Sequence, residues 1–148
     1  MSEPIYKRRF GDRKDGRLIR TYPAYNKMTP FVMKTRNDAS NYFSDSIEVT
    51  EIDRWLREKR AEGYKGMGML HLFLAAYVRT VAYRPALNRF VSGQKVYSRH
   101  EVEVLMTIKR ALTDDSEETT IKAKFLPSDT IFDIYRKINE KIDEVKAS

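Results

Sequence analysis

The stretch from Met67 to Val78 constrains the fold most. Leu70, Leu72, Phe73, Leu74, Ala75, Ala76, Tyr77 and Val78 follow one another almost without a polar position, and Val81 extends the series. Interrupted by His71 and followed by Arg79, the run is shorter than the roughly 20 apolar residues needed to cross a bilayer. Gly66-Met67-Gly68 opens it and Pro85 ends it, because the residue before a proline resists the helical conformation. The spacing predicts a helix from about Met69 to Tyr83, apolar on nearly every side. A helix with so little polar surface belongs in a core.

What surrounds that core must come from 148 residues, enough for one domain. Thr50-Glu51-Ile52-Asp53 has the form of a capping box, so a helix is expected to start there, with Ile52, Trp55 and Leu56 on one face and a stop at Gly63. Phe90-Val91 and Lys95-Val96-Tyr97 flank Ser92-Gly93-Gln94 as a hairpin. Beyond it the period becomes two. Val102, Val104, Met106 and Ile108 alternate with polar residues, as do Ile121, Ala123 and Phe125, which predicts two half-buried strands.

Thr113 to Glu118 is acidic and reads as an exposed loop between them. Thr130-Ile131-Phe132-Asp133 is a second capping box, and Ile131, Ile134, Tyr135, Ile138, Ile142 and Val145 give the closing helix one apolar stripe. Phe31 to Thr35 and Asn41 to Val49 are the earlier strand candidates. The order of elements predicts an α+β fold with a mixed or antiparallel sheet and about three helices.

Residues 1–30 show neither period and are broken by Gly11, Gly16, Pro23 and Pro30, so they read as an extended arm. The arm is basic. Residues 1–36 carry ten Lys or Arg against Glu3, Asp12 and Asp15, which accounts for the whole net charge of +7. With Tyr6, Phe10, Tyr22 and Tyr25 interleaved, such an arm can neutralise phosphates and stack on bases. It is expected to pack on a neighbouring subunit or to stay solvated, without nucleic acid. There is no cysteine, which removes disulfides, thiolate metal sites and a cysteine nucleophile. The charged opening lacks the apolar run of a secretory signal, and a cytoplasmic protein with no membrane contact is expected.

Of the two histidines, His71 begins the apolar helix and is expected to be a neutral imidazole bonded to backbone, while His100 is expected at the surface. Two histidines without converging carboxylates do not predict a metal site. Gly63-Tyr64-Lys65-Gly66-Met67-Gly68 lacks the spacing of a phosphate loop.

The run Leu72 to Phe90, with its Pro85-Ala86-Leu87-Asn88 turn, resembles the chloramphenicol acetyltransferase and dihydrolipoamide acyltransferase family, in which a buried helix ends in a Pro-x-x-Asn turn and feeds a short hairpin. Gly93 to Tyr97 is similar to that hairpin, Glu48-Val49-Thr50 to the family's helix start, and Ile131 to Val145 to a later helix. Together these cover roughly residues 40–146. The resemblance implies a two-layer αβ sandwich of which residues 31–148 are the N-terminal half. It also implies assembly as a trimer or with a complementary chain, coenzyme A as a cosubstrate with no covalently bound cofactor, and Asn41 and Phe43 among the substrate-binding residues. The family's His-x-x-x-Asp-Gly motif does not occur in the sequence, so no catalytic residue is assigned and the isolated chain is expected to be inactive. Two alternatives stand beside an acyltransferase half: a non-catalytic scaffold or regulatory homologue, and a nucleic-acid-binding module using the arm.

Overall fold

The computed structural model describes residues 7–109 and 118–147. It is an α+β protein of four helices and two small antiparallel sheets. The elements run β1 (Gly16–Leu18), α1 (Ala24–Val32), α2 (Thr50–Ala61), α3 (Met69–Tyr83), a 3-10 turn (Pro85–Leu87), β2 (Arg89–Ser92), β3 (Lys95–Arg99), β4 (Val102–Lys109), β5 (Glu118–Phe125) and α4 (Ile131–Ala147). They gather into two compact units. One runs to Ser44 and takes up Arg84–Glu101, and the other takes Asp45–Tyr83 and continues from Val102. The boundary expected between residues 30 and 31 falls inside α1.

In the first unit a sheet of order β1-β3-β2 forms, with Leu18 opposite Tyr97 and Phe90 opposite the same tyrosine. The predicted hairpin is present. Gly93 and Gln94 make its two-residue turn with φ of 53° and 58°, the left-handed pair that matches the twist of the flanking strands. The extended arm is not. The Asp12 carboxylate accepts the amides of Arg9 (2.9 Å) and Leu18 (3.1 Å), and this clamp folds the glycine-broken segment back so that β1 can pair with β3. A Cβ on Gly16 would stand 2.6 Å from the Phe90 ring, so only glycine lets the strand lie this close.

Neither early strand candidate forms. Phe31 and Val32 complete α1, whose last turn closes with the Met33 amide on the Thr29 carbonyl (2.8 Å). Residues 41–49 have no regular element and are exposed. Their apolar side chains face no partner strand among the described residues, and without a ladder an alternating pattern has nothing to bury.

The second unit holds the main core. Strands β4 and β5 pair from Val102 opposite Phe125 to Lys109 opposite Glu118. Helices α3 and α4 pack beside this ribbon, so that Leu74, Val78, Val81, Val102, Ala123, Phe125, Ile134 and Ile138 form one buried cluster. Most of the acidic loop expected between these strands lies outside the described residues. At the start of α4 the capping box is complete: the Thr130 amide (3.0 Å) donates to Asp133 and the Asp133 amide donates to Thr130 Oγ1 (3.3 Å).

At α2 the capping box fails. The helix begins at Thr50, inside the motif, with Val49 in the cap position, and the Thr50 amide donates instead to Glu48 Oε1 (2.9 Å). Its other end is as expected. Gly63 takes φ 113° while the Tyr64 amide reaches back to the Lys59 carbonyl (3.1 Å), the closing bonds of a helix that stops on glycine.

Helix α3 spans the predicted residues but is not buried all round. Leu74 and Val78 are inside, whereas Leu70, Phe73, Tyr77 and Tyr83 are open to solvent. The second unit supplies α4, one two-stranded ribbon and, across an open groove, α2 as cover, which is too little to enclose a helix on every side. Among the described residues no helix is long and apolar enough to cross a membrane.

Candidate functional site

Asn41 and Phe43, the residues assigned to substrate binding by resemblance, sit two positions apart on the irregular segment that follows α1. Both are exposed, Phe43 at 94%. Neither lines any of the three clefts described below.

The largest of these clefts, of about 790 Å³, lies between the start of α3 and the outer turns of α4. Gly66 and Gly68 lie on its wall, Lys65, Arg136, Glu140, Asp143 and Lys146 give it mixed charge, and Asn139 adds a neutral amide. His71 is its one buried titratable group, 5% exposed. The ring is fixed by its surroundings. Nδ1 accepts the Gly68 amide (3.2 Å), so the ring proton resides on Nε2, which is itself buried and makes no hydrogen bond of ordinary geometry among the described residues.

The Tyr135 ring stands 5.2 Å from the imidazole, and the Tyr135 hydroxyl donates to the Lys65 carbonyl (2.7 Å). Burial holds the His71 pKa below its ordinary value. Polar contact with the Asn139 side chain and with the Gly68 backbone offsets this only in part.

This arrangement settles what His71 can do. A general base needs a free lone pair aimed at the proton it removes, and here the only lone pair is engaged by the Gly68 amide. Among the described residues no carboxylate orients the ring from the other side. The imidazole is therefore a neutral, backbone-bonded group that pins the start of α3, as expected from the sequence. Tyr135 and Asn139 were not legible as its neighbours, although their spacing of four residues on one helix is the signal that places both on the same face.

A second groove of about 520 Å³ runs over α2 and α3, floored by Ile52, Trp55, Leu72 and Ala75 and edged by Glu51 and Arg79. It is apolar and holds no reactive pair. A third pocket lies in the first unit. Among the described residues no group of three or more metal-ligating side chains converges. Compared with known proteins, the chain matches no family model, no curated protein and no solved structure.

Proposed function

We propose that the chain is the N-terminal part of a coenzyme A-dependent acyltransferase domain of the chloramphenicol acetyltransferase and dihydrolipoamide acyltransferase type, acting in the cytoplasm within a two-layer αβ sandwich and a trimer. One observation carries the reading. After α3 the chain makes the Pro85–Leu87 turn, and Asn88 then ties the neck of the hairpin: its Nδ2 donates to the Glu101 carbonyl (2.9 Å) while its own carbonyl accepts the Arg99 amide (3.0 Å). The side-chain bond gives the asparagine of the Pro-x-x-Asn motif a structural task at the neck of the hairpin, directly after the turn.

The exposed apolar face of α3 and the outward Leu105 on β4 fit a layer that further structure covers. In the reaction, the thioester bond to coenzyme A breaks as the acyl carbon bonds to an acceptor thiol or hydroxyl. The acceptor's proton passes to a histidine base and on to the coenzyme A sulfur. His71, the histidine of the second unit, is not poised for that proton transfer, because its lone pair is engaged by the Gly68 amide.

The test compares the chain alone with the chain joined to the second half of a family member bearing His-x-x-x-Asp-Gly. Acetyl transfer from acetyl-coenzyme A to dihydrolipoamide or chloramphenicol stays at the uncatalysed rate for the chain alone and appears in the joined protein. Turnover by the chain alone that vanishes in His71→Gln, or a joined protein that folds and remains inactive, overturns the reading.

A further inference from the structure

The first unit concentrates positive charge. Its described residues hold fourteen Lys or Arg against four carboxylates, Asp12, Asp15, Asp38 and Glu101. Within it lies a pocket of about 360 Å³ bounded by the β1–β3 edge and α1. The floor is apolar. Leu18, Ile19, Tyr22, Phe31 and Val96 line it, and the Ile19 amide bonded to the Val96 carbonyl (3.1 Å) extends the β1–β3 pairing beneath it.

The polar groups around this floor are all of one kind or neutral: Arg20, Lys27, Lys95 and the amide of Gln94, with no carboxylate. Arg20 is committed to Asp12 (3.0 Å) and to the Leu18 carbonyl (3.2 Å). Lys27 and Lys95 have no carboxylate partner among the described residues. Two uncompensated ammonium groups over an apolar hollow form a site with a defined complement. The hollow takes an apolar body and the lysines take a negative head.

We propose that this pocket binds a small amphiphilic anion, a carboxylate carrying an apolar body. A volume of 360 Å³ corresponds to roughly a dozen water-sized groups, so the part of the body held inside is about eight carbons long. The surplus of positive charge in the unit draws such anions toward the site and weakens that draw as salt rises. A nucleic acid uses the same charge differently, because it needs no apolar hollow and its affinity does not depend on a hydrocarbon tail. The inference stands apart from the acyltransferase reading, as it rests on the first unit's pocket alone.

Titration of the full chain with sodium octanoate, followed by amide chemical shifts, tests it. Ile19, Val96 and Phe31 shift saturably with octanoate and hardly with octanamide, octylammonium or acetate. Lys27→Gln and Lys95→Gln each weaken binding roughly tenfold, with unchanged circular dichroism. Phe31→Ala weakens it as well while leaving the salt dependence in place. Equal binding of octylammonium or octanamide, shifts centred away from Ile19 and Val96, or unchanged affinity in a folded double lysine variant each overturns the proposal. A short oligonucleotide that binds better than octanoate and displaces it would assign the charge to nucleic acid instead.

Discussion

Adjacent residues on α3 offer a direct measure of which side of that helix is inside. Leu74 is 7% exposed and belongs to the cluster with Val78, Ile134 and Ile138, whereas Phe73 is 64% exposed. Leu74→Ala removes three buried carbons, worth about 2–3 kcal/mol in transfer at roughly 0.8 kcal/mol each. The cavity left between α3 and α4 adds to this, giving ~3–4 kcal/mol within the usual span for such truncations. Phe73→Ala leaves stability within about 0.5 kcal/mol of the parent, as for other surface changes.

The assay is urea unfolding followed by the fluorescence of Trp55, the single tryptophan, which lies in the same unit as both substitutions. A difference of more than 2 kcal/mol between the variants stands clear of the extrapolation error. If α3 were buried on every side, Phe73→Ala would be the costlier change, at about 3–5 kcal/mol. Equal or reversed costs would refute the one-sided packing described here.

Two further outcomes follow from the same structure. The pKa of His71 is held down in the folded protein by burial, so the unfolded chain binds the extra proton first. Stability is then insensitive to pH above the ordinary value near 6.5 and falls as pH drops below it, toward the lower folded value. Asp133, whose pKa is lowered by its bonds to Thr130, titrates in a more acid range and does not mask the effect. His71→Leu removes the slope in urea midpoints measured between pH 7 and pH 5, and a slope that persists assigns it elsewhere. Gly16→Ala drives a methyl against the Phe90 ring and the Ser98 carbonyl and costs about 1–3 kcal/mol. Amide exchange at Leu18 and Ile19 reads this locally, and unchanged protection there would show that β1 has room to shift.

The sequence made the second unit legible where a local pattern and its tertiary partner agreed. The alternation at Val102–Lys109 and the threonine–aspartate box at Thr130 each specify an element by themselves, and packing then uses them. It misled where the deciding contact lay far along the chain. No period marks Gly16–Leu18 as a strand, because its pairing depends on Tyr97 and on the Asp12 clamp.

Phe31 and Val32 look like a strand only when Pro30 is taken as a break, whereas that proline lies buried within α1. The apolar surround of α3 was plain in the sequence, but how much structure would cover it was not. For the site, the neutral state of His71 was legible from its apolar neighbours. The Lys27 and Lys95 pocket was not, since it joins residues nearly seventy positions apart.

The tie at Asn88 has an effect on what the protein can tolerate. Because Asn88 meets both Arg99 and Glu101, the segment between them leaves and returns through one fastened neck, and its far end is only the Gly93-Gln94 turn. Residues added at that tip change the size of a closed loop at a modest entropic cost, while the strand pairs nearer the neck keep their register. Added length at the tip is thus expected to leave the elements before and after the hairpin in place, with the Asn88 side chain holding its neck.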